Sequence, residues 1–97
     1  MRIAVIGGGL SGLSIALALK KMAHERRVSL TLSLHEEQQR LGGKLYSEQN
    51  DGFVFEHSAN GWLDSKPSTN ALVRELGLDA QRIVASEAAR HRFELGT

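Results

Sequence analysis

Gly7, Gly9 and Gly12 form a G-x-G-x-x-G set, a pattern that lays backbone open to an anion when it leaves a strand and opens a helix. In that setting Gly7 allows the sharp turn, Gly9 lets a pyrophosphate approach without meeting a Cβ, and Gly12 brings the helix close to the sheet. The N–H groups around Leu10, Ser11 and Gly12 would then face phosphates at the positive end of a helix dipole, and Gly8 is counted with Gly7 and Gly9 among the cofactor-binding residues. A dinucleotide site also needs an acid roughly 20 residues on, at the end of the second strand, to accept from the adenosine ribose hydroxyls. Glu36 and Glu37 are the candidates, and Glu36 is preferred because it follows Leu34 and His35, where that strand should end. A carboxylate there disfavours the extra phosphate of NADP. Further along, Gly42 and Gly43 provide a second bare backbone stretch, and Arg40 and Lys44 supply cations for the pyrophosphate. The competing readings are a glycine turn that binds nothing and a solvated acid pair.

The elements needed to hold these residues are legible. Arg2 to Ile6 is a short β-branched apolar run, a buried parallel strand that stops at the glycines. Leu10, Leu13, Leu17 and Ile15, Leu19, Met22 recur at helical spacing, giving a helix from Leu10 to about Glu25. Lys20, Lys21, Arg26 and Arg27 fit the negative end of that helix better than a binding patch. Ser29 to Leu34 alternates polar and apolar, a second strand with one greasy face, so the unit is β-α-β. Parallel strands covered on both faces are usually apolar throughout. The face carrying Thr31 and Ser33 is therefore either hydrogen-bonded or less covered. His35 reads as a strand-end histidine. Glu36 to Lys44 should be loop, and Leu45 to Ser47 and Phe53 to Glu56 read as short extended pieces joined through Asn50, Asp51 and Gly52. Ser65 and Pro67 start a helix that ends at Gly77, with Leu78 packing back on Leu72 or Val73. His91, Phe93 and Leu95 alternate as a final strand.

Composition bounds the rest. The chain has 97 residues, enough for one small domain or part of a larger one, and 41% hydrophobic residues, enough for a modest core. Twelve Lys and Arg nearly balance eleven Asp and Glu, so bulk charge calls for neither nucleic acid nor an acidic membrane. With no cysteine there is no thiolate nucleophile, disulfide or Cys-based metal site, and no metal-ligand set is expected. The run from Ile3 to Ile6 is too short for a signal-peptide core, which gives a cytoplasmic expectation, with peripheral membrane association of a parent enzyme left open.

The string from Glu36 through Arg40, Leu41, Gly42, Gly43 and Lys44, E-x-x-x-R-x-G-G-K, resembles the second signature of the flavin amine oxidase superfamily. That superfamily includes amine oxidases, phytoene desaturases and protoporphyrinogen oxidases. Within it, Asp51-Gly52-Phe53-Val54-Phe55-Glu56, Asn60-Gly61-Trp62-Leu63, Lys66-Pro67 and Leu72 to Leu78 resemble the protoporphyrinogen and coproporphyrinogen oxidase branch, as does His91 to Leu95. In that branch the segment matching Ser58 to Gly61 lies along the cofactor, which implies contacts from Asn60 and Gly61. This chain departs from it, with Ser58-Ala59 in place of the usual Gly-Pro and Gly61 in place of a serine. Trp62 stands where the branch has phenylalanine and reads as a buried packing residue.

The resemblance implies an α/β fold, a Rossmann-like βαβ dinucleotide-binding unit that is the amino-terminal part of an incomplete FAD/NAD(P)-binding domain spanning 1–97. The substrate domain and the carboxy-terminal FAD segment would lie outside it. It implies FAD as cofactor and, in the parent enzyme, a porphyrinogen oxidised to the porphyrin of haem synthesis with dioxygen as electron acceptor. An amine or carotenoid substrate remains an alternative, as does a non-catalytic remnant or fragment that self-associates through open sheet edges. No residue reads as a catalytic acid or base.

Overall fold

A computed structural model describes residues 1–59 and 61–86, and the chain divides into two compact units, Met1–Gly61 and Trp62–Thr97. The first unit opens with β1 (Arg2–Ile6), α1 (Leu10–Glu25) and β2 (Thr31–His35). β1 and β2 pair in parallel, Arg2 opposite Thr31 through Ile6 opposite His35, which is the expected β-α-β unit. β2 begins two residues later than the alternation suggested. After α1 the chain must reverse, which it does through Arg27 at φ 54°, with the Val28 N–H donating to Ala23 O at 2.9 Å. Ser29 is left outside the ladder, its carbonyl accepting from the amino terminus at 3.2 Å, and Thr31 is the first residue to donate to Met1 O, at 2.9 Å.

Period-2 geometry sorts the two strands into faces. Ile3, Leu32 and Leu34 lie half-buried on the helix-covered side with Val5, the buried hydrophobic residue of the core. Arg2, Ala4 and Ile6 share the other face with Thr31, Ser33 and His35, and all six are exposed. The polar face of β2 is therefore both less covered and hydrogen-bonded, since Ser33 Oγ lies 3.1 Å from His35 Nε2. His35 is a strand-end histidine as expected.

The same unit continues into an antiparallel hairpin, β3 (Ser47–Asn50) with β4 (Phe53–Glu56). The sequence placed the first of these strands at Leu45 to Ser47 and counted Asn50 as turn. Instead Asn50 pairs with Phe53, and the turn is the dipeptide Asp51-Gly52, whose φ values of 51° and 79° define the primed turn that matches the twist of a hairpin. Leu45 is drawn out of the strand because its N–H donates to Gly42 O at 3.1 Å.

In the second unit α2 (Pro67–Glu75) starts with proline at its first position, with Lys66 rather than Ser65 as the flanking residue. It ends as expected: Gly77 N–H donates to Arg74 O and Leu78 N–H to Val73 O, each at 3.0 Å, the two bonds of a Schellman motif. Trp62 is not buried but 41% exposed, because its indole N–H reaches Asn70 Oδ1 at 2.8 Å and keeps the ring beside the helix start. A 3-10 turn at Asp79–Gln81 follows. The expected strand at His91, Phe93 and Leu95 lies outside the described residues.

What positions the site is the closeness of α1 to β1. A Cβ on Gly12 would overlap Gly7 O and stand 3.5 Å from Val5 Cγ1. Gly12→Ala is therefore expected to push the helix off the strand and to destabilise the fold by about 1–3 kcal/mol, read from the urea unfolding midpoint.

Candidate functional site

The glycine turn joins β1 to α1 as its spacing required. Gly7 extends the parallel ladder by one bond, its N–H donating to His35 O at 2.7 Å, and takes a φ of 102°. Gly9 flanks the helix in extended conformation with no side-chain cap, and no acidic residue occupies the first turn. Leu13 N–H, which donates to Gly9 O at 3.0 Å, is the first amide to find the carbonyl four residues back. The amides of Leu10, Ser11 and Gly12 precede it, so the positive helix end has no carboxylate of its own turn to neutralise it.

The second glycine stretch comes to lie against the first. Gly42 N–H donates to Gly8 O at 2.8 Å, and Gly9 and Gly42 form a parallel bridge. Gly42 and Gly43 have φ of 112° and 61°, left-handed values that side chains disfavour, and a Cβ on Gly43 would stand 3.1 Å from Gly9 Cα. Gly8 is the tightest position between the loops, for a Cβ there would meet Leu41 Cδ2 at 2.6 Å and Glu36 Cβ at 3.3 Å. The sequence counted Gly8 among the cofactor-binding residues, but Gly8 is buried, is not among the residues lining the cleft, and donates its N–H to Glu36 Oε1 at 2.8 Å. Together the loops open onto one cleft of about 400 Å³, lined by Gly7, Gly9, Leu10, Ser11, Gly12, Gly42, Gly43 and Lys44 with Ile6 and Leu45.

Glu36 follows directly after β2 and turns its carboxylate back to the glycine turn. Oε1 accepts from Gly8 N–H and Oε2 from Gln38 N–H, both at 2.8 Å. Each oxygen keeps a lone pair for a hydroxyl donor. The Gln38 amide, then the Gly8 amide, and the charge of Arg40 after them hold this carboxyl below its ordinary value of 4.5. Glu37, the other acid, is exposed.

Arg40 points its donors at the second loop. Its Nη2 donates to Gly43 O at 2.7 Å, and Nη1 donates to Leu41 O at 3.2 Å and Leu45 O at 3.3 Å. Lys44 remains on the wall of the cleft. Gly61 is exposed, with no atom within 4 Å of where a Cβ would stand, and is not among the residues lining the cleft, while Asn60 lies outside the described residues. Tyr46, which sequence reasoning did not single out, adjoins Arg40, and His57 lies against the Tyr46 ring; an aromatic residue just beyond the glycine pair was the available signal.

A parallel βαβ unit with a glycine turn at an uncapped helix start, and an acid at the end of its second strand, defines a dinucleotide-binding domain of Rossmann type. Residues 5–76 match the family described as NAD(P)-binding Rossmann-like domain, and the chain belongs to that family. Among characterised proteins it is 36% identical over 77 residues to coproporphyrinogen III oxidase of Bacillus subtilis (strain 168), covering 79% of this chain and 16% of that one. It is 33% identical over 91 residues to protoporphyrinogen oxidase 2, chloroplastic/mitochondrial, of Arabidopsis thaliana, covering 93% and 17%. Against the mitochondrial protoporphyrinogen oxidase of Nicotiana tabacum it is 35% identical over 97 residues, covering 99% and 18%. The chain thus spans under a fifth of the length of these relatives.

The bare glycine walls and the unneutralised helix end fit the pyrophosphate of a dinucleotide, and the free lone pairs of Glu36 fit its ribose. Glu36 also gives the site a pH dependence. Its carboxyl is depressed in the fold, so its stabilising contribution is complete above about pH 4.5 and is lost as pH falls through the lower folded value. Thermal unfolding followed downward from about pH 6 should show a shallower acid decline for Glu36→Gln than for the unsubstituted chain.

Proposed function

We propose that this chain is the FAD-binding portion of an oxygen-dependent porphyrinogen oxidase, which converts protoporphyrinogen or coproporphyrinogen to the porphyrin in haem synthesis. The observation that carries the reading is the second glycine loop, hydrogen-bonded through Gly42 N–H to Gly8 O and walling the same cleft as the first. A nicotinamide dinucleotide needs only the first loop and the acid. A second bare backbone with Lys44 beside it suits a larger cofactor enclosed along its pyrophosphate. The names of the relatives support the porphyrinogen as substrate class.

In this reading the amides of Leu10, Ser11 and Gly12 hold the pyrophosphate, Lys44 adds charge to it, and Glu36 accepts from the ribose hydroxyls while tying Gly8 in place. Bound FAD would supply the acceptor for hydride removal and the electron path to dioxygen. The chain's own residues bind and orient, and none of them is placed at the reacting atoms. The exposed apolar side chains of Ile6, Phe53 and Phe55 suit a sheet and hairpin that pack against further elements in a protein of the relatives' length.

The full-length protein should show flavin absorbance or take up added FAD, and Gly9→Leu should weaken uptake tenfold or more, about 1.4 kcal/mol, by filling the cleft. Absence of flavin uptake by the unsubstituted protein overturns the reading. Oxygen uptake with porphyrinogens against amines assigns the substrate, and turnover of amines alone would move the protein to another branch of flavin enzymes.

A further inference from the structure

Arg40 spends its donors on carbonyls of its own loop, so whatever fixes Arg40 fixes the wall of the cleft. The guanidinium carbon stands 4.4 Å from the centroid of the Tyr46 ring, within the range of a cation–π contact. Tyr46 is itself braced from the hairpin. Its ring lies 4.8 Å from that of His57 at a 42° tilt, and its carbonyl accepts the His57 N–H at 2.9 Å. His57 Nε2 in turn lies 3.0 Å from Glu48 Oε2 on the neighbouring strand. These contacts form a continuous chain from the β3–β4 hairpin through Tyr46 and Arg40 to Gly43 O.

We propose that Tyr46 is a positioning residue for the dinucleotide site, holding the guanidinium that orients the second glycine loop. The inference rests on the FAD reading and adds a residue to it. Its physical basis is peptide planarity. Gly43 O is fixed on Arg40 Nη2 at 2.7 Å, and in a trans peptide the N–H of the next residue, Lys44, points to the opposite side from that carbonyl. Fixing Leu45 O on Nη1 restrains the peptide one residue further on. Loose carbonyls in this loop could rotate toward an anion and repel it. The Tyr46 ring keeps the Arg40 fork where it prevents this, although Tyr46 is not itself among the residues lining the cleft.

The test is a double-mutant cycle on the full-length protein, read as FAD affinity by flavin fluorescence titration, with unfolding midpoints recorded for every variant. Tyr46→Leu should weaken FAD binding about two- to fivefold, the range of an exposed cation–π contact, and Tyr46→Phe should restore it because the ring is kept. In an Arg40→Ala background Tyr46→Leu should cost nothing further. An equal loss in that background, or a Tyr46→Phe variant as weak as the leucine one, overturns the inference while leaving the FAD reading intact. Tyr46→Thr replaces the leucine variant if that one fails to fold. A protein that takes up no FAD before any substitution overturns the functional reading, and this inference with it.

Discussion

The bond from Gly42 N–H to Gly8 O, 2.8 Å long, joins two backbone stretches that are far apart in sequence, and it requires both to be nearly free of side chains. Gly9 and Gly43 approach so closely that a Cβ on Gly43 would stand 3.1 Å from Gly9 Cα. Everything else in the first unit serves that approach. The parallel pairing of β1 and β2 brings the end of the second strand beside the glycine turn, and Glu36 closes the gap by accepting from Gly8 N–H with one oxygen and Gln38 N–H with the other.

The electrostatics follow from the same arrangement. Backbone amides converge on a helix start that carries no acid in its first turn, while the carboxylate of Glu36 is engaged by the Gly8 and Gln38 amides. Arg40, which by type alone belongs on a phosphate, is directed instead at three carbonyls of its own loop. Its charge thereby cancels the carbonyl dipoles that would otherwise oppose an anion, and Lys44 is left on the cleft wall. A planar fork with several donors suits this work, and an ammonium would reach fewer carbonyls at once.

Burial is distributed unevenly around this centre. Among the described residues Val5, 8% exposed, is the buried hydrophobic side chain, whereas Ile6 is 80% and Phe53 67% exposed. The helix covers one side of the two-stranded sheet, and the other side carries Thr31, Ser33 and His35. Local hydrogen bonding at Ser33 and His35 satisfies polar groups there without a second layer.

The local elements could be read from the chain because each depends on neighbours in sequence. The apolar run before Gly7, the 3.6-residue period of α1, Pro67 at the start of α2 and Gly77 at its end all appear where residue type put them. The glycine set and Glu36 could also be assigned, since the motif fixes their spacing. Boundaries set by longer-range bonds could not: Ser29 is taken from β2 by the amino terminus, and Leu45 from β3 by Gly42 O. Nor could the side-chain assignments at Arg40, Tyr46 and Trp62, because each is decided by a partner that arrives only when the chain has folded back. The sequence by itself determined which backbone could receive a dinucleotide. Tertiary structure alone decided that the two glycine stretches share one wall, because hydrogen bonds between distant backbones depend on where the strands place them and not on the residues that make them.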